Sequence, residues 1–172
     1  MKKLLILFIA SLFMMSCASY TYFPPKNTNP QKEWTVNQSA EVLLKNASLW
    51  ASSRNLSVTN VNEVLKVITI EGKVSYFQKY LREDGDFVYI ENPVADCGEC
   101  EDMIRNLVLA SRVKLTILFE SLEANSTKVI FSNSFDELLF GWGCLDKVCY
   151  STGAIEKDFL EFAKTGVTSV SP

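Results

Sequence analysis

The chain has 172 residues, 17 Lys and Arg against 20 Asp and Glu, a formal net charge of −3, and 48% apolar residues. That apolar content suffices for the core of one domain and is too high for a disordered chain, while a pI near 5.1 lacks the basic footprint of a nucleic-acid binder. Histidine is absent, which removes imidazole acid–base catalysis, Ser-His and Cys-His nucleophile pairs, and every metal site that needs histidine.

Lys2 and Lys3 precede an apolar run from Leu4 to Met15 that is interrupted only by Ser11. As a helix this run spans ~18 Å, short of the ~30 Å hydrocarbon core of a bilayer, so it predicts a secretory signal peptide over residues 1–16. The segment Met14-Met15-Ser16-Cys17-Ala18 resembles the lipobox of bacterial lipoproteins, with a large apolar residue three positions before a Cys and a small residue immediately before it. The resemblance implies cleavage before Cys17, a diacylglyceryl thioether on its sulfur and acylation of the new amine. It also implies a lipid-anchored protein of the bacterial cell envelope. Ala18 in place of Asp points to the outer membrane, facing the periplasm or the cell surface. Several acyl chains make such an anchor effectively permanent.

Residues 17–33 hold Pro24, Pro25 and Pro30 and show no apolar periodicity, which predicts a flexible tether reaching roughly 50 Å after the lipidated Cys. One domain is expected over 34–166, followed by a short tail, 167–172. Thr35 to Gln38 fits a capping box. Ala40, Leu43, Leu44, Ala47, Trp50 and Ala51 then fall on one helical stripe that ends at Arg54-Asn55. Strand character follows in Leu56–Val61, in the β-branched run Val64–Glu71 and, after a bend at Gly72, in Lys73–Tyr80. Asp84-Gly85-Asp86 is a turn signal before Phe87–Ile90, and Pro93 closes this stretch. A short helix is expected from Glu101 to Leu107.

The plainest strand pair is Val113, Leu115, Ile117 and Phe119 against Val129 and Phe131, alternating with polar residues across a turn at Glu123–Ser126. An aromatic loop containing Trp142 runs from Gly141 to Tyr150. A last helix carries Ile155, Phe159, Phe162 and Ala163 on one face and stops at Gly166. The expected fold class is α+β: an antiparallel sheet of about four to six strands with the N- and C-terminal helices packed on one face. This order resembles the helix-grip and TBP-like domains of small envelope lipoproteins, including BamC-like components of outer-membrane assembly machinery.

Five cysteines are an odd count, and a lipid on Cys17 leaves Cys97, Cys100, Cys144 and Cys149 as two local pairs, C-G-E-C and C-L-D-K-V-C. Export favours two structural disulfides, with connectivity open among three possibilities, of which within-pair bridges are the simplest. A four-thiolate zinc site and a redox-active Cys97-x-x-Cys100 are the alternatives. Asp96, Glu99, Glu101 and Asp102 oppose a reactive thiolate there, because nearby negative charge raises a thiol pKa.

Ser111-x-x-Lys114 has the spacing of serine–lysine acyl enzymes but lies in a predicted strand, where that spacing does not align the pair. The acidic set Asp96, Glu99, Glu101 and Asp102 lacks the rhythm of a calcium loop. No catalytic, cofactor or metal residue is assigned. The expected function is a non-enzymatic structural or interaction module that is membrane-attached through Cys17. It would meet an envelope protein partner through a sheet edge or the loop bearing Trp142 and Tyr150. The alternative is a small-ligand or carbohydrate-binding lipoprotein. No nucleic-acid partner is expected.

Overall fold

A computed structural model describes residues 21–26, 28–77, 79–83, 87–91, 93–101, 106–139 and 148–166. The signal segment and Cys17, the Asp84–Asp86 turn, and the Gly141–Cys144 part of the aromatic loop lie outside the described residues, as does the tail 167–172.

The spine is a long hairpin, β9 (Asn106–Glu123) and β10 (Ser126–Leu139), turning at Ala124 and Asn125. Val113, Leu115, Ile117 and Phe119 of β9 and Val129 and Phe131 of β10 are all buried, as their alternation predicts. A bulge at Ser111 shifts the register between Asp136 and Glu137, so Ala110 also turns inward, three residues before Val113. On the far side of β9 runs β4 (Val67–Lys73), which contributes buried Ile68 and Ile70 and pairs antiparallel with β3 (Ser57–Asn62). Outside β10 lies β2 (Glu33–Val36). The five-stranded antiparallel sheet therefore reads β3-β4-β9-β10-β2. Its outer face carries charge pairs, Lys114 with Glu71 (3.1 Å) and Lys128 with Glu33 (3.1 Å) and Glu120 (3.8 Å).

Two helices cover the inner face. In α1 (Ala40–Ser53) the six residues of the apolar stripe are all buried. In α2 (Ala154–Thr165) Ile155, Phe159 and Ala163 are buried, and Phe162 is half-buried against the core. The Phe159 ring meets Trp50 at 5.5 Å, Phe131 at 5.9 Å and Phe119 at 6.2 Å, which joins both helices to the sheet in one core. Gly166 ends α2 in the left-handed region (φ 70°), where a glycine has no Cβ to strain. The fold is α+β, as the order of elements predicts.

Several boundaries differ from the sequence expectation. The capping box at Thr35 is not used: pairing with β10 keeps the chain extended through Val36, and α1 is capped instead by Ser39, whose Oγ accepts from the Val42 N–H (3.5 Å). Val64 and Leu65 are not in a strand. Asn62 faces Val67 across the hairpin, so Glu63–Lys66 must make the turn; Asn62 Oδ1 accepts from the Leu65 N–H (2.9 Å) and Lys66 takes φ 52°.

After β4, Val74–Tyr76 forms a 3-10 turn, and the next hairpin pairs β5 (Lys79–Glu83) with β6 (Phe87–Glu91). The short helix expected over Glu101–Leu107 is replaced at both ends by strand: β8 (Glu99–Glu101) pairs with Asn106 and Leu107 of β9. Pairing of Glu99–Glu101 with Thr21–Phe23 on one side and with Asn106 and Leu107 on the other outcompetes local helical preference there. Within the segment read as tether, β1 (Thr21–Phe23) pairs with β8 and Glu33 already belongs to β2, so these parts lie in sheet.

Candidate functional site

Two short strands, β7 (Ala95–Asp96) and β11 (Tyr150–Ser151), pair antiparallel beside the start of α2. Next to them a disulfide joins Cys97 to Cys149, 52 residues apart in sequence. The bridge takes one cysteine from each local pair, so the within-pair connectivity that looked simplest is not the one formed by these residues. Cys97 is thereby bonded away from Cys100, whose backbone lies in β8 opposite Tyr22. The expected second bridge would need Cys144, which lies outside the described residues. The corner is also tied by Thr152, whose N–H donates to Val94 O (3.1 Å) and whose hydroxyl donates to Pro93 O (2.7 Å). Asp96, part of the acidic set, accepts from the backbone N–H groups of Gly98 (3.0 Å) and Lys26 (2.9 Å). Its carboxylate serves the loop. Among the described residues no cluster of three or more Cys, Asp or Glu side chains is placed to hold a metal ion.

Against this corner lies a cavity of about 160 Å³, lined by residues that include Lys32, Phe131, Asn133, Cys149, Tyr150 and Glu156. Asn133 continues the inward alternation of Val129 and Phe131 on β10, but with an amide in place of an apolar side chain. Its Nδ2 donates to Glu156 Oε1 (2.7 Å) in the first turn of α2. Glu156 is only 2% exposed, and neither its Oε2 nor Asn133 Oδ1 has a hydrogen-bond partner among the described residues.

A second buried polar cluster joins the helices. Arg54 at the end of α1 donates through Nε (2.8 Å) and Nη2 to the two carboxylate oxygens of Asp158, and Trp50 Nε1 donates to Asp158 Oδ2 (2.8 Å). The guanidinium also stands 6.0 Å from the Phe77 ring centroid. With a bidentate partner and an indole N–H, the Asp158 carboxylate is a clamp.

Neither polar cluster was recognised in the sequence. Both had a signal there: Asp158 falls three residues after Ile155 on the apolar face of α2, and Asn133 falls two residues after Phe131 in the alternation of β10.

The opposite edge of the sheet, on β3 and β4, exposes apolar surface. At the tip of the β3–β4 hairpin Val64 is 89% and Leu65 63% exposed. Along the sheet edge, β3 shows Val58 and Val61 to solvent and carries no charge. Lys66 pairs with Glu41 of α1 (3.0 Å), which fastens the tip to the helix. The Glu41 carboxyl is held below its ordinary value, first by its backbone hydrogen bond near the N-terminus of α1 and then by Lys66.

Of the other residues singled out in the sequence, Tyr150 sits half-buried in β11, while Trp142 and Cys17 lie outside the described residues. Ser111 donates from its hydroxyl to Asp136 O (3.3 Å), and Lys114 pairs with Glu71; three residues apart in a strand, they form no catalytic pair. No helix among the described residues is long and apolar enough to cross a membrane. No protein-family model, curated protein or solved structure matches the chain.

Proposed function

We propose that this protein is a bacterial envelope lipoprotein, anchored by lipid on Cys17 to the outer membrane, that works without catalysis as an interaction module. The observation that carries the reading is the exposed β3–β4 hairpin, an uncharged strand edge ending in Val64 and Leu65. An edge without charge or proline offers unpaired backbone groups to an added strand, here along Asn60–Asn62 beyond the bulge between Val58 and Asn60.

The position of the anchor fits the same reading. Cys17 stands four residues before β1, which reaches the start of β9 through β8. The hairpin tip lies at the other end of β9, where Val67 pairs with Leu118. From Leu107 to Leu118 the strand rises roughly 37 Å. The apolar tip therefore lies at the end of β9 away from β1, a placement that supports a protein partner rather than the lipid as its contact.

The test places a photo-crosslinking residue at position 58 or 64, or at exposed Lys157 as control, in cells that lipidate the protein. Discrete protein adducts from 58 and 64 but not from 157 are expected. Equal labelling from all three, or none, overturns the interaction surface. In the same cells Cys17→Ser should leave the chain unlabelled by lipid precursor and off the membrane; a lipid-labelled, membrane-bound variant overturns the anchor.

A further inference from the structure

Among the described residues Glu156 Oε2 and Asn133 Oδ1 are the two buried side-chain polar atoms without a partner, and both belong to residues lining the cavity beside the disulfide corner. Both are acceptors, and a closed-off acceptor without a donor is costly. The missing complement is therefore a hydrogen-bond donor, and beside a carboxyl group a charged N–H donor makes the stronger bond. Glu156 stands in the first turn of α2 and has no ion pair among the described residues. The remaining wall includes Phe131 and Tyr150, which supply apolar surface for the organic part of a ligand. Two oxygens are too few for calcium or magnesium, which take six or more ligands. At about 160 Å³ the space matches cavities known to hold one benzene-sized molecule.

We infer that this cavity is a binding site for a small organic ammonium ion, with Glu156 as counter-ion and Asn133 Oδ1 as second acceptor. The nitrogen enters the cavity, and a small rotation of the two side chains brings their free oxygens onto it. Asn133 Nδ2 stays on Glu156 Oε1 and fixes which carboxylate oxygen faces the ligand. Lys32 lines the same cavity and carries the one competing ammonium in its wall, so it is the internal rival for the site. The inference is independent of the hairpin surface proposed above, which lies across the sheet on β3 and β4.

The test is a titration of the full chain with n-propylammonium, 1-propanol and propionate at equal ionic strength, followed by calorimetry and by the NMR signals of the Asn133 side-chain amide. Saturable binding of propylammonium is expected, with propanol and propionate at least tenfold weaker. Glu156→Gln should weaken propylammonium at least tenfold, and Lys32→Met should leave it unchanged or tighten it. Equal binding of propanol, or undiminished binding to a folded Glu156→Gln protein, overturns the proposal. So does a failure to saturate in the wild type, including the case where only Lys32→Met binds, which would mean that Lys32 fills the site. If Glu156→Gln does not fold, the comparison of the three probes on the wild type decides by itself.

Discussion

Arg54 and Asp158 stand 104 residues apart in sequence and meet inside the protein, the guanidinium spanning both carboxylate oxygens between the end of α1 and the middle of α2. Each charge is buried and each answers the other. Removing one partner strands the other, which costs about 3–5 kcal/mol. Arg54→Met and Asp158→Leu are each expected to lose stability in that range by urea unfolding. The double variant should lose clearly less than the two losses added together, because it leaves neither charge unpaired. Strict additivity would show that the pair is not coupled.

The core prediction concerns Phe119, which is buried on β9 against Phe159. Phe119→Ala should cost about 3–5 kcal/mol, whereas Leu122→Ala, three residues further and exposed, should stay within ~0.5 kcal/mol. Equilibrium unfolding of the two variants distinguishes an inward from an outward position on one strand.

The disulfide should appear in a non-reducing digest as a peptide joining Cys97 to Cys149. A bridge closing a loop of this length constrains the unfolded chain by about 4 kcal/mol in the chain-entropy account. Cys97→Ser should lower the melting temperature, and a reductant should lower that of the wild type but not that of the variant by way of this bridge. A Cys97–Cys100 peptide in the digest would contradict the pairing.

Gly72 in β4 has Leu56 so close that a Cβ there would stand 2.1 Å from Leu56 Cδ2. Leu56 is buried, so it can yield only by disturbing the core. Gly72→Ala should therefore destabilise by about 1–3 kcal/mol, and the double variant with Leu56→Ala should recover part of the close-contact penalty in a double-mutant cycle.

Glu41 should titrate below its ordinary value of 4.5 in an NMR pH titration. A folded-state pKa that is depressed contributes stability above the unfolded value and loses it as pH falls through the folded one. The fastening of the hairpin tip to α1 therefore weakens in acid below the ordinary carboxylate range, not near neutrality. Lys66→Met should raise the Glu41 pKa only part of the way back, because the backbone hydrogen bond, the largest single cause, remains.

What the amino-acid sequence determined alone is the periodic part of the fold. The stripe from Ala40 to Ala51, the alternation from Val113 to Phe131 and the glycine stop at Gly166 are each specified by residues a few positions apart, so spacing suffices to read them. The tertiary structure alone decided what depends on partners far along the chain. Val36 stays extended because β10 pairs with it, Glu101 is strand because β1 pairs with it, and Cys97 meets Cys149 because β7 and β11 align. The two buried polar clusters belong to the same class. Asp158 and Glu156 read as ordinary helix residues until Arg54 and Asn133 are brought beside them, since a charge in a core is defined by what faces it across the fold.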